Sequence, residues 1–203
     1  MKREALVLLA SGTLFGLIVG WVLGSQEPAG PSEPPAVVTQ AEGAGAAVEG
    51  ATPPPLDEAR VRELMAEAER DPRDVVTRTM LANLYFDADR FRDAITWYEA
   101  SLALNPDDVN VSTDLGVSYY YTNQPDRALE QFMYSLEVEP EHVKTILNIG
   151  IVRAFGKQDL AGAAEAWDRV IAIAPDSPEG RAAQQALESL RSAHAGDVGT
   201  TGP

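Results

Sequence analysis

VVTRTMLANLYFDADRFRDAITWYEASLALNPDD (residues 75–108) runs without a break into VNVSTDLGVSYYYTNQPDRALEQFMYSLEVEPEH (109–142) and then VKTILNIGIVRAFGKQDLAGAAEAWDRVIAIAPD (143–176). Leu81-Ala82, Tyr85, Ala94, Tyr98 and Pro106 of the first stretch recur as Leu115-Gly116, Tyr119, Ala128, Phe132 and Pro140 in the second. In the third they recur as Ile149-Gly150, Arg153, Ala163, Trp167 and Pro175. Together with Pro72 the prolines fall at intervals of 34, 34 and 35. The additional residue of the last interval is expected in the turn around Gly156-Lys157-Gln158. Each stretch carries two runs of helical apolar spacing, so each reads as a pair of helices. The proline ends the second helix because it lacks an amide donor and restricts the residue before it. Asp107-Asp108 and Glu141 follow, where carboxylates favour the start of the next helix. Ala82, Gly116 and Gly150 let the first helix approach its partner closely, and Ala94, Ala128 and Ala163 do the same from the second. Tyr98, Phe132 and Trp167 then fill the space between units.

A unit of this length with these spaced residues resembles the tetratricopeptide repeat (TPR), a 34-residue helix–turn–helix. The fold class expected is therefore an all-α TPR solenoid. Repeats are placed at 75–108, 109–142 and 143–176. Arg78, Ser112 and Ile146 stand where the family has an aromatic residue early in its first helix, and Arg153 replaces a core tyrosine. A flanking helix is expected over 56–72, with Val61, Leu64, Met65 and Ala68 on one face, like the second helix of a worn repeat. Ser177-Pro178 reads as an N-cap followed by proline in the first turn, opening a capping helix over 177–193 with a polar outer face. A frayed tail occupies 194–203.

The N-terminal quarter is chemically different. Met1-Lys2-Arg3-Glu4 precedes Ala5–Gly24, twenty residues without a charge. Twenty helical residues rise about 30 Å, the thickness of a bilayer core. The basic pair at its start and the absence of another basic residue before Arg60 keep the N-terminus cytoplasmic and send the rest across. The expectation is one transmembrane signal-anchor over 1–24 in a bacterial inner membrane, with the repeats periplasmic. The alternative is a soluble exported adaptor released by cleavage after Gly24. Gly12, Gly16, Gly20 and Gly24 form a stripe at four-residue spacing, suited to close helix–helix packing in lipid and hence to homo-oligomers. Residues 25–55 are rich in Pro, Ala and Gly, their only charges are Glu27, Glu33, Glu42 and Glu49, and they read as a disordered tether.

The composition narrows the chemistry. The 203 residues include no cysteine and two histidines, His142 and His194. That excludes thiol catalysis and thiolate metal sites, and a lone His142 in a turn makes no metal site. No metal, cofactor or catalytic residue is expected, and the protein is read as a non-enzyme. A formal charge of −15, from 16 basic and 31 acidic residues, argues against nucleic acid as a partner.

The resemblance to TPR arrays supplies a candidate surface, the concave groove lined by the first helix of each repeat. Its positions map to Val76, Thr79, Asn83, Phe86 and Asp87, then to Asn110, Thr113, Asp114, Val117, Tyr120 and Tyr121, then to Lys144, Leu147, Asn148, Ile151, Ala154 and Phe155. A protein or peptide ligand is expected there. Asn83 and Lys144 match the clamp with which some TPR domains hold a terminal carboxylate, whereas Thr79, Asp114 and Asn148 do not, and Asp114 would repel one. An anchored TPR scaffold of this kind is similar in architecture to TPR subunits of cytochrome c maturation complexes.

Overall fold

The computed structural model describes residues 53–198, and among these the regular structure is helical. The Ala5–Gly24 segment, its glycine stripe and most of the Pro-rich stretch lie outside the described residues. Eight helices follow in order: α1 Glu58–Arg70, α2 Val75–Asp87, α3 Phe91–Leu102, α4 Val109–Tyr121, α5 Pro125–Val138, α6 Val143–Ile151, α7 Leu160–Ile173 and α8 Pro178–Val198. The pairs α2/α3, α4/α5 and α6/α7 are the first (A) and second (B) helices of the three repeats. Each helix packs on its sequence neighbours, and α4 also meets α6 as α6 meets α8. The last helix ends beyond the expected residue 193, because the alanines at 193 and 195 favour continued helix.

Local chemistry starts each unit. Asp57, Asp74, Asp108, Asp159 and Ser177 are N-caps, their side-chain oxygens accepting from Arg60, Thr77, Val111, Gly162 and Gly180 amides at 2.9–3.1 Å. The Thr77 hydroxyl and amide together hold the Asp74 carboxyl below its ordinary pKa. His142 takes the corresponding position before α6 without capping it. Its Nδ1 instead lies 2.7 Å from the Thr145 hydroxyl. Of the Asp107-Asp108 pair only Asp108 caps.

The A-to-B turns share one geometry. Asp89, Asn123 and Gln158 have φ of 54°, 62° and 56°, the left-handed conformation that closes many helix C-termini. Arg90 donates its amide to the Tyr85 carbonyl at 2.8 Å, and Gln124 to that of Tyr119 at 2.9 Å. In the third repeat this bond reaches one residue further, from Asp159 to Arg153 at 2.8 Å. The additional residue therefore sits before the turn at Gln158, in a π-helical segment Val152–Gly156 that continues α6, and not in the turn itself. An inserted residue widens one helical turn more readily than it rebuilds a tight connection.

The core is a single run of side chains from Ala82 to Leu187, joined at its N-terminal end by a smaller cluster of Val61, Leu64, Ala68 and Leu81. Tyr98, Phe132 and Trp167 are at most 2% exposed. A Cβ on Gly116 would overlap the Phe132 ring, and one on Gly150 the Trp167 indole. The positions that depart from the family pattern are used locally. Ile146 joins the core. Ser112 receives hydrogen bonds from Gln131 and Ser135 at 2.6 and 2.8 Å, and Arg78 bonds the Asp74 carbonyl at 2.7 Å. Arg153 ties α6 to α7 through the Gly162 carbonyl at 3.1 Å.

Gly116→Ala forces the Phe132 ring out of a fully packed site. The expected cost is about 1–3 kcal/mol, read as a lower denaturant midpoint, and because repeats support one another the loss should appear across the whole array in one transition. An unchanged midpoint would contradict this packing.

Candidate functional site

The A helices bring most of the groove residues onto one side of the array, in three environments. Val76, Asn83, Asp87, Asn110 and Tyr121 are exposed, Val76 at 67% and Tyr121 at 45%. Thr79, Phe86, Asp114, Val117, Tyr120, Lys144, Leu147, Asn148, Ile151 and Phe155 are partly buried. Thr113 and Ala154 are buried and do not belong to an accessible surface. Thr113 donates to the Val109 carbonyl at 2.7 Å and lies 2.6 Å from the Thr145 hydroxyl, joining α4 to α6. Ala154 lies within the widened turn Val152–Gly156, which places it inward of the position that a strict 34-residue spacing assigns.

Polar groups on this side are largely occupied by one another. Lys144 Nζ lies 2.8 Å from Asp114 Oδ1, and the Asn148 amide donates to the Lys144 carbonyl at 2.9 Å. The Tyr98 hydroxyl donates to Asn83 Oδ1 at 2.8 Å, and the Thr79 and Ser101 hydroxyls are 2.7 Å apart. Burial raises the Asp114 pKa, Lys144 opposes that shift, and the nearby Asp87 adds to it. Burial also raises Asp87, which has no ion pair among the described residues. The Tyr98 phenol is pushed up by burial and by Asp114 and Asp87, so it stays protonated and keeps donating. His142 is lowered, chiefly by burial, and is neutral at pH 7. The side therefore presents two carboxylates to a single ammonium group.

An aromatic chain runs along the end where the A helices turn into the B helices. Phe86 meets Tyr98 and Phe91 edge-on, with centroids 6.2 and 5.3 Å apart. Phe91 stacks on Tyr121 at 4.5 Å and 11°, and Tyr121 tilts against Tyr120 at 5.7 Å. Phe86, Tyr120 and Tyr121 are thus held in a ladder whose central member, Phe91, the spacing of A-helix positions does not reveal, since it opens a B helix. Its only signal in the sequence is a large apolar residue directly after a turn.

A family model described as "TPR repeat" matches residues 82–123, and one described as "Tetratricopeptide repeat" matches residues 113–178. The chain is a tetratricopeptide-repeat protein. Among solved structures it is similar to MamA, at 17% identity over 66% of this chain and 89% of that one with a TM-score of 0.54. MamA 41-end from Desulfovibrio magneticus RS-1 is similar at 21% identity over 58% and 67%, with a TM-score of 0.54. The first TPR of Spaghetti (RPAP3) bound to the HSP90 peptide SRMEEVD is similar at 21% identity over 62% and 96%, also at 0.54. At these identities the likeness is one of fold. No curated protein matches the chain.

Within the TPR frame, the two residues that fit a carboxylate clamp are already engaged. Asn83 accepts from Tyr98, and the charge of Lys144 is answered by Asp114. A terminal carboxylate placed there would meet Asp114 and Asp87 first. Among the described residues no group of three or more His, Cys, Asp or Glu side chains is arranged to hold a metal ion.

The raised Asp114 carboxyl has a consequence for stability. A carboxyl whose folded pKa lies above its unfolded value contributes stability below the unfolded value, about 3.9, and loses it as pH rises through the folded one. Asp114→Asn removes this dependence while keeping an oxygen for Lys144. Denaturant midpoints measured from pH 4 to 7 should therefore change by a more positive amount toward pH 7 in the variant than in the parent. Parallel curves would show that Asp114 does not feel its burial.

Proposed function

We propose that this protein is a scaffold that binds a neutral or basic segment of another protein along its A-helix side, held at a bacterial inner membrane by Ala5–Gly24 with the repeats in the periplasm. The observation that carries the binding reading is the ribbon of Asn83, Asp87, Asn110 and Tyr121. These side chains are exposed beside partly buried Val117, Leu147 and Ile151, so polar and apolar partners are offered together. The RPAP3 repeat, with the same fold, binds an HSP90 peptide, which supports peptide binding as a use of this architecture. The net negative field of Asp87 and Asp114 favours a cationic ligand over an acidic one. The membrane reading rests on the uncharged run and the Lys2/Arg3 pair. Among the described residues no helix is long and apolar enough to span a bilayer. Assembly of an envelope complex of the cytochrome c maturation kind fits a TPR array tethered to a span, and the glycine stripe fits a homo-oligomer within the membrane.

A reporter fused after Pro203 should be active only when exported, and the native protein should remain in the membrane fraction with its N-terminal segment attached. Recovery of soluble protein beginning at Ser25 would assign it instead to the cleaved periplasmic adaptors.

The partner is obtained by affinity capture from membranes and identified by mass spectrometry. Asp87→Lys reverses an unpaired charge at the centre of the ribbon without disturbing a core residue. Its affinity for the captured partner should fall about tenfold, the scale of an interface residue worth 1–2 kcal/mol, with circular dichroism unchanged. Equal affinity would move the contact off the A-helix side.

A further inference from the structure

The opposite side of the array, built by the B helices, carries a cleft that the A-helix reading does not use. It is an open depression of about 290 Å³ between α3 and α5, with α4 at its floor. Leu102, Pro106 and Leu115 supply apolar lining, and the Tyr134 ring adds to it. Leu115 is 3% exposed whereas Tyr134 is 38% exposed, so the cleft leads from solvent to the core. Its polar edge is already satisfied. Tyr119 donates its hydroxyl to Glu99 at 2.5 Å, and the Arg127 guanidinium bonds both, at 2.6 Å to Tyr119 and 3.2 Å to Glu99. The same guanidinium lies 4.0 Å from the centre of the Tyr119 ring. What the cleft leaves unmatched is apolar surface within and carboxylates around it. Glu130 and Glu137 flank Tyr134 on its face of α5, and Asp107 follows Pro106. All three are exposed, and none of their carboxylates has an ion pair or side-chain hydrogen bond among the described residues.

We infer that this cleft is a second docking site, which takes one large apolar side chain from a partner segment flanked by lysine or arginine. Charge decides the occupant. The charged residues of the stretch 25–55 of this chain are all glutamates, and a second copy brings a formal charge of −15. Either would set carboxylates against Glu130, Glu137 and Asp107. A foreign basic segment answers both the apolar interior and the acidic rim.

The test uses the full 203-residue chain in a zwitterionic micelle, with methyl-labelled leucines and the synthetic peptide acetyl-KRKWLKRK-amide. The peptide should shift the Leu102 and Leu115 methyl resonances. Its affinity should fall at least fivefold in Tyr134→Ala and in Glu130→Lys/Glu137→Lys, and stay unchanged in Met133→Ala, an exposed neighbour on α5 outside the cleft. The double variant is confined to surface residues, so it decides the matter even if loss of Tyr134 disturbs the fold. Replacing the peptide's Trp by Ala should weaken binding as much as Tyr134→Ala does. Unmoved methyls at millimolar peptide, equal binding of the Ala peptide, or equal binding of a peptide with glutamates in place of its basic residues would overturn the proposal. Methyl shifts that appear on raising the protein concentration alone would give the cleft to a second copy and overturn it as well.

Discussion

Close approach of paired helices is the constraint on which the rest of this array depends. At Gly116 and Gly150 there is no room for a Cβ, because Phe132 and Trp167 already occupy it. The first repeat solves the same problem with Ala82 and Tyr98, both fully buried. Small residue and large ring are thus coupled across each helix pair, and the ring in turn packs toward the next repeat. The arrangement has a local cost in the third repeat, where the Trp167 indole Nε1 is buried without a hydrogen-bond partner among the described residues. An unsatisfied buried donor costs about 1–3 kcal/mol. The large apolar area of the indole offsets that penalty at roughly 25 cal/mol per Å² buried.

Once this spacing is fixed, the connections must return every B helix in phase. Asp89, Asn123 and Gln158 all adopt the left-handed conformation, which asparagine and aspartate tolerate better than glutamine. The third repeat must also accommodate one more residue than the others. It does so by widening the end of α6, which leaves the turn and the Asp159 cap intact. The consequence is a changed rotation for the residues that follow Ile151. Ala154 enters the core, while Phe155 stays partly buried beside it. A helix-level adjustment thus alters which residues the third repeat can offer to a ligand.

These two features explain what the sequence could and could not say. The core was legible because its code is size at fixed spacing: Leu115-Gly116, Tyr119, Ala128 and Phe132 carry it whatever their neighbours do. The helix pairs and their proline stops follow from the same spacing. The candidate site was legible only as a set of A-helix positions. Whether such a position is available depends on a partner far away in the chain. Thr113 is lost to Thr145, Lys144 to Asp114, and Tyr121 gives one ring face to Phe91. No local pattern announces those pairings. The π-helical segment was likewise hidden, since an interval of 35 states that a residue was added without saying whether a helix or a turn absorbs it.

Electrostatics then connects the two sides of the molecule. On the A-helix side, pairing Lys144 with Asp114 leaves Asp87 as the unmatched charge, so the local sign agrees with the overall charge of −15. At the B-helix cleft, the Glu99–Arg127–Tyr119 cluster consumes the nearby cation and leaves Glu130, Glu137 and Asp107 without an ion pair among the described residues. Arginine and lysine are few in this chain, and at both places the nearest one, Lys144 or Arg127, is spent on an internal contact. Each side is therefore negative for a structural reason, not merely because the composition is acidic. A segment bearing positive charge meets attraction on either side. A copy of this chain meets repulsion on both, which favours contact with a different protein over self-association through the repeats.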